Sequence, residues 1–90
     1  MLCITPTAAT VIRSLTREAE LPEPAGLRLT RDVEHRSLSM ALAPRAARGD
    51  LTVFARDARV FVDAELQAQL DELTLDADIH DGSRRFFLHR

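Results

Sequence analysis

Lysine, asparagine, tyrosine and tryptophan are absent from this 90-residue chain, and cysteine occurs once, at Cys3. One cysteine excludes an internal disulfide, and it excludes any zinc or cluster site that needs several thiolates from a single chain. No stretch approaches the roughly 20 consecutive apolar residues of a membrane helix. The opening MLCITPTAATV has neither the basic flank nor the long apolar run of a secretion signal, so a cytoplasmic location is expected. With 12 basic residues against 14 acidic ones the formal net charge is -2, which repels a polyanion and argues against nucleic acid as a partner. All of the basic residues are arginine and alanine is plentiful, a bias expected of a GC-rich genome.

What is present is an ordinary globular composition, 46% apolar and 29% charged, in a length that supports one core and one domain spanning residues 1–90. After the apolar start Leu2-Cys3-Ile4, Thr5-Pro6 is a helix-start signal: the hydroxyl can accept an orphan amide, and the fixed φ of proline suits the first turn. Ala8, Val11, Ile12, Leu15 and Ala19 then recur at spacings of three and four, predicting a helix of about 13 residues. LPEPAG ends it.

Beyond that break the period changes to two. Leu27 and Leu29, then Leu38, Met40 and Leu42, alternate with polar or small residues as half-buried strands do. LTVFA, which carries Leu51 and Val53, and RVFVD predict a hairpin across RDAR, with Val60 and Val62 facing the core. Asp63 is placed to cap a short helix near residues 64–72. In LTLDADIHDGSRRFFLH, Asp81-Gly82 is a two-residue turn that sets Asp78 opposite Arg85 and His80 opposite Ser83. This register puts Leu75, Ala77, Ile79, Phe86 and Leu88 on a core face. The fold class is therefore α+β: six or seven mostly short strands in two packed sheets, an N-terminal helix, and a short helix between strands.

The order of these elements, together with ITPTAATVIRSL, GLRL, SMAL and GDLTVFARDARVFVDAELQAQLDELTLD, resembles the HesB/IscA-like A-type iron–sulfur carriers over essentially the whole chain. The resemblance implies a cysteine in the loop before the SMAL strand and a Cys-Gly-Cys motif after the last strand, together binding iron or a cluster, usually across a dimer. Here the loop position falls at Ser37, with Arg36 the alternative, and the chain ends at Leu88-His89-Arg90 where the tail motif would start. A serine hydroxyl is too weak an acid to replace a thiolate as an iron ligand.

Two readings follow. In the first, the chain is an iron–sulfur cluster assembly protein, a divergent carrier or iron-binding accessory, with Glu34, His35, His80 and His89 as candidate metal ligands if loop and C-terminus converge. In the second, it is a cofactor-free interaction domain, a homodimer or an assembly subunit, with Phe54, Phe61 and Phe87 off the main apolar alternation and forming its contact surface. No cofactor is expected on the chain's own residues, and iron or a cluster would need an altered ligand set. The expected partner is a protein or a second copy, with neither nucleic acid nor membrane involved. Cys3, in an apolar run, is expected to be a small buried side chain. No phosphate-binding glycine loop and no nucleophile–base constellation is present, so enzymatic chemistry is not expected.

Overall fold

The structure is a computed structural model describing residues 1–90. Its elements run β1 (Cys3–Ile4), α1 (Pro6–Glu18), β2 (Gly26–Asp32), β3 (Ser37–Ala43), β4 (Leu51–Ala55), β5 (Ala58–Val62), a 3-10 turn (Ala64–Leu66), α2 (Gln67–Leu70), β6 (Thr74–His80) and β7 (Ser83–His89). They form two sheets, one in the order β1-β6-β7 and one in the order β3-β2-β5-β4.

Helix α1 begins where the local chemistry directs. Thr5 is extended, its hydroxyl accepts from the Ala8 amide, and Pro6 occupies the first turn. Ala8, Ala9, Val11 and Ile12 form its buried stripe. The four-stranded sheet presents Leu27 and Leu29 of β2, Val60 and Val62 of β5 and Val53 of β4 to the same core, which Leu66, Leu70, Leu75 and Ala77 complete. Each such aliphatic side chain contributes about 1.5–3 kcal/mol on full burial, and this one continuous cluster holds the two sheets and the helix together.

Register follows turn chemistry. Asp81 and Gly82 both take positive φ, 48° and 80°, as a two-residue turn between twisted strands requires. Asp78 accordingly faces Arg85 and His80 faces Ser83. Gly26 is required for a different reason: a Cβ there would press into the Arg59 carbonyl, because the start of β2 runs hard against β5.

Three expectations need correction. Ile79 has the predicted register but is 62% exposed, because the tip of the β6–β7 hairpin extends beyond the core and its partner Arg84 turns to Glu18 of α1. Cys3 is exposed: β1 is an edge strand of two residues, and the residues on either side of Cys3, the buried Leu2 and the half-buried Ile4, turn inward instead. Phe61 is 1% exposed and so belongs to the chain's own interior, not to a contact surface.

The reason for the last lies in the second face of the large sheet. Phe61 sits in register between Arg28 on β2 and Thr52 on β4, on the side opposite Val60 and Val62. Arg28 on that face donates through Nε and Nη2 to Asp50 at 2.9 and 3.1 Å. Asp50 also accepts the Ala47 amide at 2.9 Å, which fastens the 44–50 loop to this side of the sheet.

Candidate functional site

The loop joining β2 to β3 is four residues, Val33 to Arg36, between the paired positions Asp32 and Ser37. Asp32 braces it from within: one carboxylate oxygen accepts the His35 amide at 3.1 Å and the other lies 2.9 Å from His35 Nδ1. Arg36 closes the loop with a φ of 51°, leaving Ser37 exposed as the first residue of β3. Beneath this tip a groove of about 560 Å³ is lined by Arg31, Val33, Arg36, Ser37, Leu38, Leu66 and Gln69. Ser37 thus lines an open recess.

The histidines do not converge on it. His35 is turned onto Asp32 inside its own loop, His80 lies 3.3 Å from Asp81, and His89 lies 3.6 Å from Asp76. His80 is paired with Ser83 and His89 with Thr74, so the two occupy opposite ends of one hairpin. Six residues of strand separate them, roughly 20 Å at ~3.4 Å per residue. No three His, Cys, Asp or Glu side chains anywhere in the chain group as a metal site, which corrects the expectation for Glu34, His35, His80 and His89.

Cys3 does not supply the missing ligand. Its groove is lined by Ile4, Pro6, Phe54, Ala55 and Arg56, next to β4. Ser37 is on β3, at the other edge of the same four-stranded sheet. Three interstrand spacings, about 14 Å at ~4.8 Å each, intervene.

Of the expected contact residues, Phe54 and Phe87 do present surface, at 65% and 40% exposure. The Arg59 guanidinium lies over the Phe54 ring at 5.5 Å, a cation–π contact. Phe87 packs its ring 5.8 Å from that of His89.

Two acidic centres went unnoticed in the sequence. The Arg28 guanidinium holds the Asp50 carboxyl below its usual range, aided by the Ala47 amide, although burial opposes this. Asp76 is lowered chiefly by the Thr5 hydroxyl, then by the Ala77 amide and more weakly by His89. Alternation does place Arg28 beside Phe61 once the parallel register of β2 and β5 is known, but nothing local signals that register.

Comparison with solved structures decides the fold. The chain superimposes on the crystal structure of Escherichia coli SufA, a protein involved in biosynthesis of iron–sulfur clusters, with a TM-score of 0.77 and 26% identity over 98% of this chain and 83% of SufA. The architecture is that of SufA and IscA. The crystal structure of IscA with its [2Fe-2S] cluster gives a TM-score of 0.74 at 18% identity, over 99% of this chain and 84% of IscA. A solution structure of a protein from Aquifex aeolicus gives 0.77 at 16% identity, over 99% of this chain and 90% of that one. No family model and no curated protein matches the sequence. The IscA-like fold is therefore kept across nearly the whole chain, with the usual cysteine ligands absent from it.

The residues present do not fit a cluster. The first ligand position expected from the HesB/IscA resemblance carries the hydroxyl of Ser37, no carboxylate or imidazole lines the recess beside it, and the one thiol is across the sheet.

Proposed function

We propose that this chain serves iron–sulfur cluster assembly as an accessory that binds a protein partner and holds no cluster on its own residues. The observation that supports this reading is the combination of an IscA-like fold with Ser37, a poor ligand, at the position where a cluster cysteine is expected. Contact falls to Phe54 and Phe87, the exposed aromatic side chains among the large apolar groups that remain outside. Partner binding of this kind needs no catalytic residue.

The test is anaerobic reconstitution with ferrous iron and sulfide, followed by desalting, elemental analysis and a visible spectrum, on the wild type and on a His35→Ala, His80→Ala, His89→Ala variant. The expected result is colourless protein with substoichiometric iron in both. Stoichiometric iron and sulfide on the wild type would establish a carrier. Mixing with a cysteine-bearing IscA-type protein from the same genome then asks for a complex that Phe54→Ser and Phe87→Ser weaken. Failure to form it would reduce the reading to a reused fold.

A further inference from the structure

The core-facing row of β2 reads Leu27, Leu29, Arg31, and the residue opposite Arg31 on β3 is Leu38. A position that alternation assigns to the apolar side is thus an arginine, at the point where the core runs out and the hairpin overhangs Leu66 and Gln69. Arg36 lines the same recess from the loop. Neither guanidinium has a carboxylate or carbonyl partner. Arg28, Arg84 and Arg85 by contrast pair with Asp50, Glu18 and Asp78, while Arg17, Arg45, Arg48, Arg56 and Arg90, outside the groove, also lack such partners. No aspartate or glutamate lines the groove; its remaining polar groups are the Ser37 hydroxyl and the Gln69 amide, both competent donors. Its floor is apolar, from buried Leu66 and half-buried Leu38. The volume, about 560 Å³, falls in the ordinary range of small-molecule sites.

We propose that this groove binds a small organic oxyanion, a phosphate ester or a carboxylate carried on an apolar body, with Arg31 and Arg36 as its cationic clamp and Leu38 and Leu66 against the apolar part. Guanidinium forks suit both oxyanions because two parallel N–H donors match two oxygens. The site stands apart from the assembly role: a chain that binds no iron–sulfur partner would still bind the anion.

The experiment is a titration of isotopically labelled protein, followed by amide chemical shifts at fixed ionic strength, with phenyl phosphate, benzoate and phenol as probes. Saturable shifts centred on Arg31, Arg36, Ser37 and Gln69 are expected with at least one anion and not with phenol, and the tighter of the two anions identifies the source. The Arg31→Gln, Arg36→Gln double variant should weaken binding by at least about tenfold. Arg45→Gln, Arg48→Gln, which removes equal charge from a loop outside the groove, should leave it unchanged. Both variants change exposed side chains, so preserved spectral dispersion confirms the fold. Shifts that never saturate, equal response to phenol, or equal weakening by the Arg45/Arg48 variant would overturn the proposal.

Discussion

The Thr5 hydroxyl donates to Asp76 at 2.7 Å while accepting the Ala8 amide at 3.1 Å, so a single side chain starts helix α1 and ties it to strand β6, 71 residues away. Thr5→Ala removes the cap and leaves Asp76 short of a donor, at a combined cost of about 2 kcal/mol. In a domain of this size that lowers Tm by about 10 °C. Thr5→Ser keeps both bonds and should stay within about 0.5 kcal/mol of wild type, as thermal unfolding followed by circular dichroism would show.

Acid should unfold the protein from a definite direction. Asp50, Asp76 and Glu18 all have folded-state pKa values below their usual ones, held there first by Arg28, Thr5 and Arg84 respectively. The unfolded chain therefore takes up protons that the folded chain refuses, and stability is lost as pH falls from the ordinary carboxylate range, about 4, through the lowered values. The urea midpoint should be flat between about pH 5 and 7 and drop below about pH 4, with a shallower drop in Asp50→Asn.

The Asp50 side chain is 2% exposed and receives both the guanidinium of Arg28 and a backbone amide. Asp50→Ala strands Arg28 and releases the 44–50 loop, costing about 2 kcal/mol in urea unfolding. A preserved midpoint would mean that the loop is held by something other than this pair.

Phe61→Ala and Phe54→Ser should behave oppositely. Phe61 fills the interior behind Arg28 and Thr52, and its truncation should cost about 3–5 kcal/mol, enough to threaten folding. Phe54 is 65% exposed, so its removal should change stability by about 0.5 kcal/mol or less and instead reduce association with the partner, read by light scattering.

Gly26→Ala forces a methyl group into the Arg59 carbonyl and should cost about 1–3 kcal/mol, since strand backbone cannot yield cheaply. Gly82→Asn, at a φ of 80° in open space, should cost less than about 1 kcal/mol.

What the sequence disclosed depended on distance along the chain. Thr5-Pro6 and Asp81-Gly82 announce themselves because capping and turn geometry involve neighbours only, and both elements begin or turn where those residues are. The pairing of Asp78 with Arg85 followed from the turn. The same register already separates His80 from His89, so the hairpin itself argued against a shared metal ion. Phe61 misled because its burial depends on a parallel pairing of β2 with β5 and on a loop fastened by Arg28–Asp50, none of it local. Cys3 misled because an apolar tripeptide does not reveal that only alternate residues of a two-residue edge strand turn inward. The recess beside Ser37 was invisible for a related reason: Arg31 looks like an ordinary polar residue in its strand until the core-facing row is known.

The parallel pairing of Cys3 and Ile4 with Thr74 and Leu75 has a further consequence, during synthesis. The small sheet cannot close, nor can α1 bury its stripe against β6, until the chain beyond residue 75 has left the ribosome. Until then α1 has only β2 and β5 to pack against, and its face toward β6 stays uncovered. The core is therefore expected to be completed late, and the nascent chain is the form most in need of a chaperone.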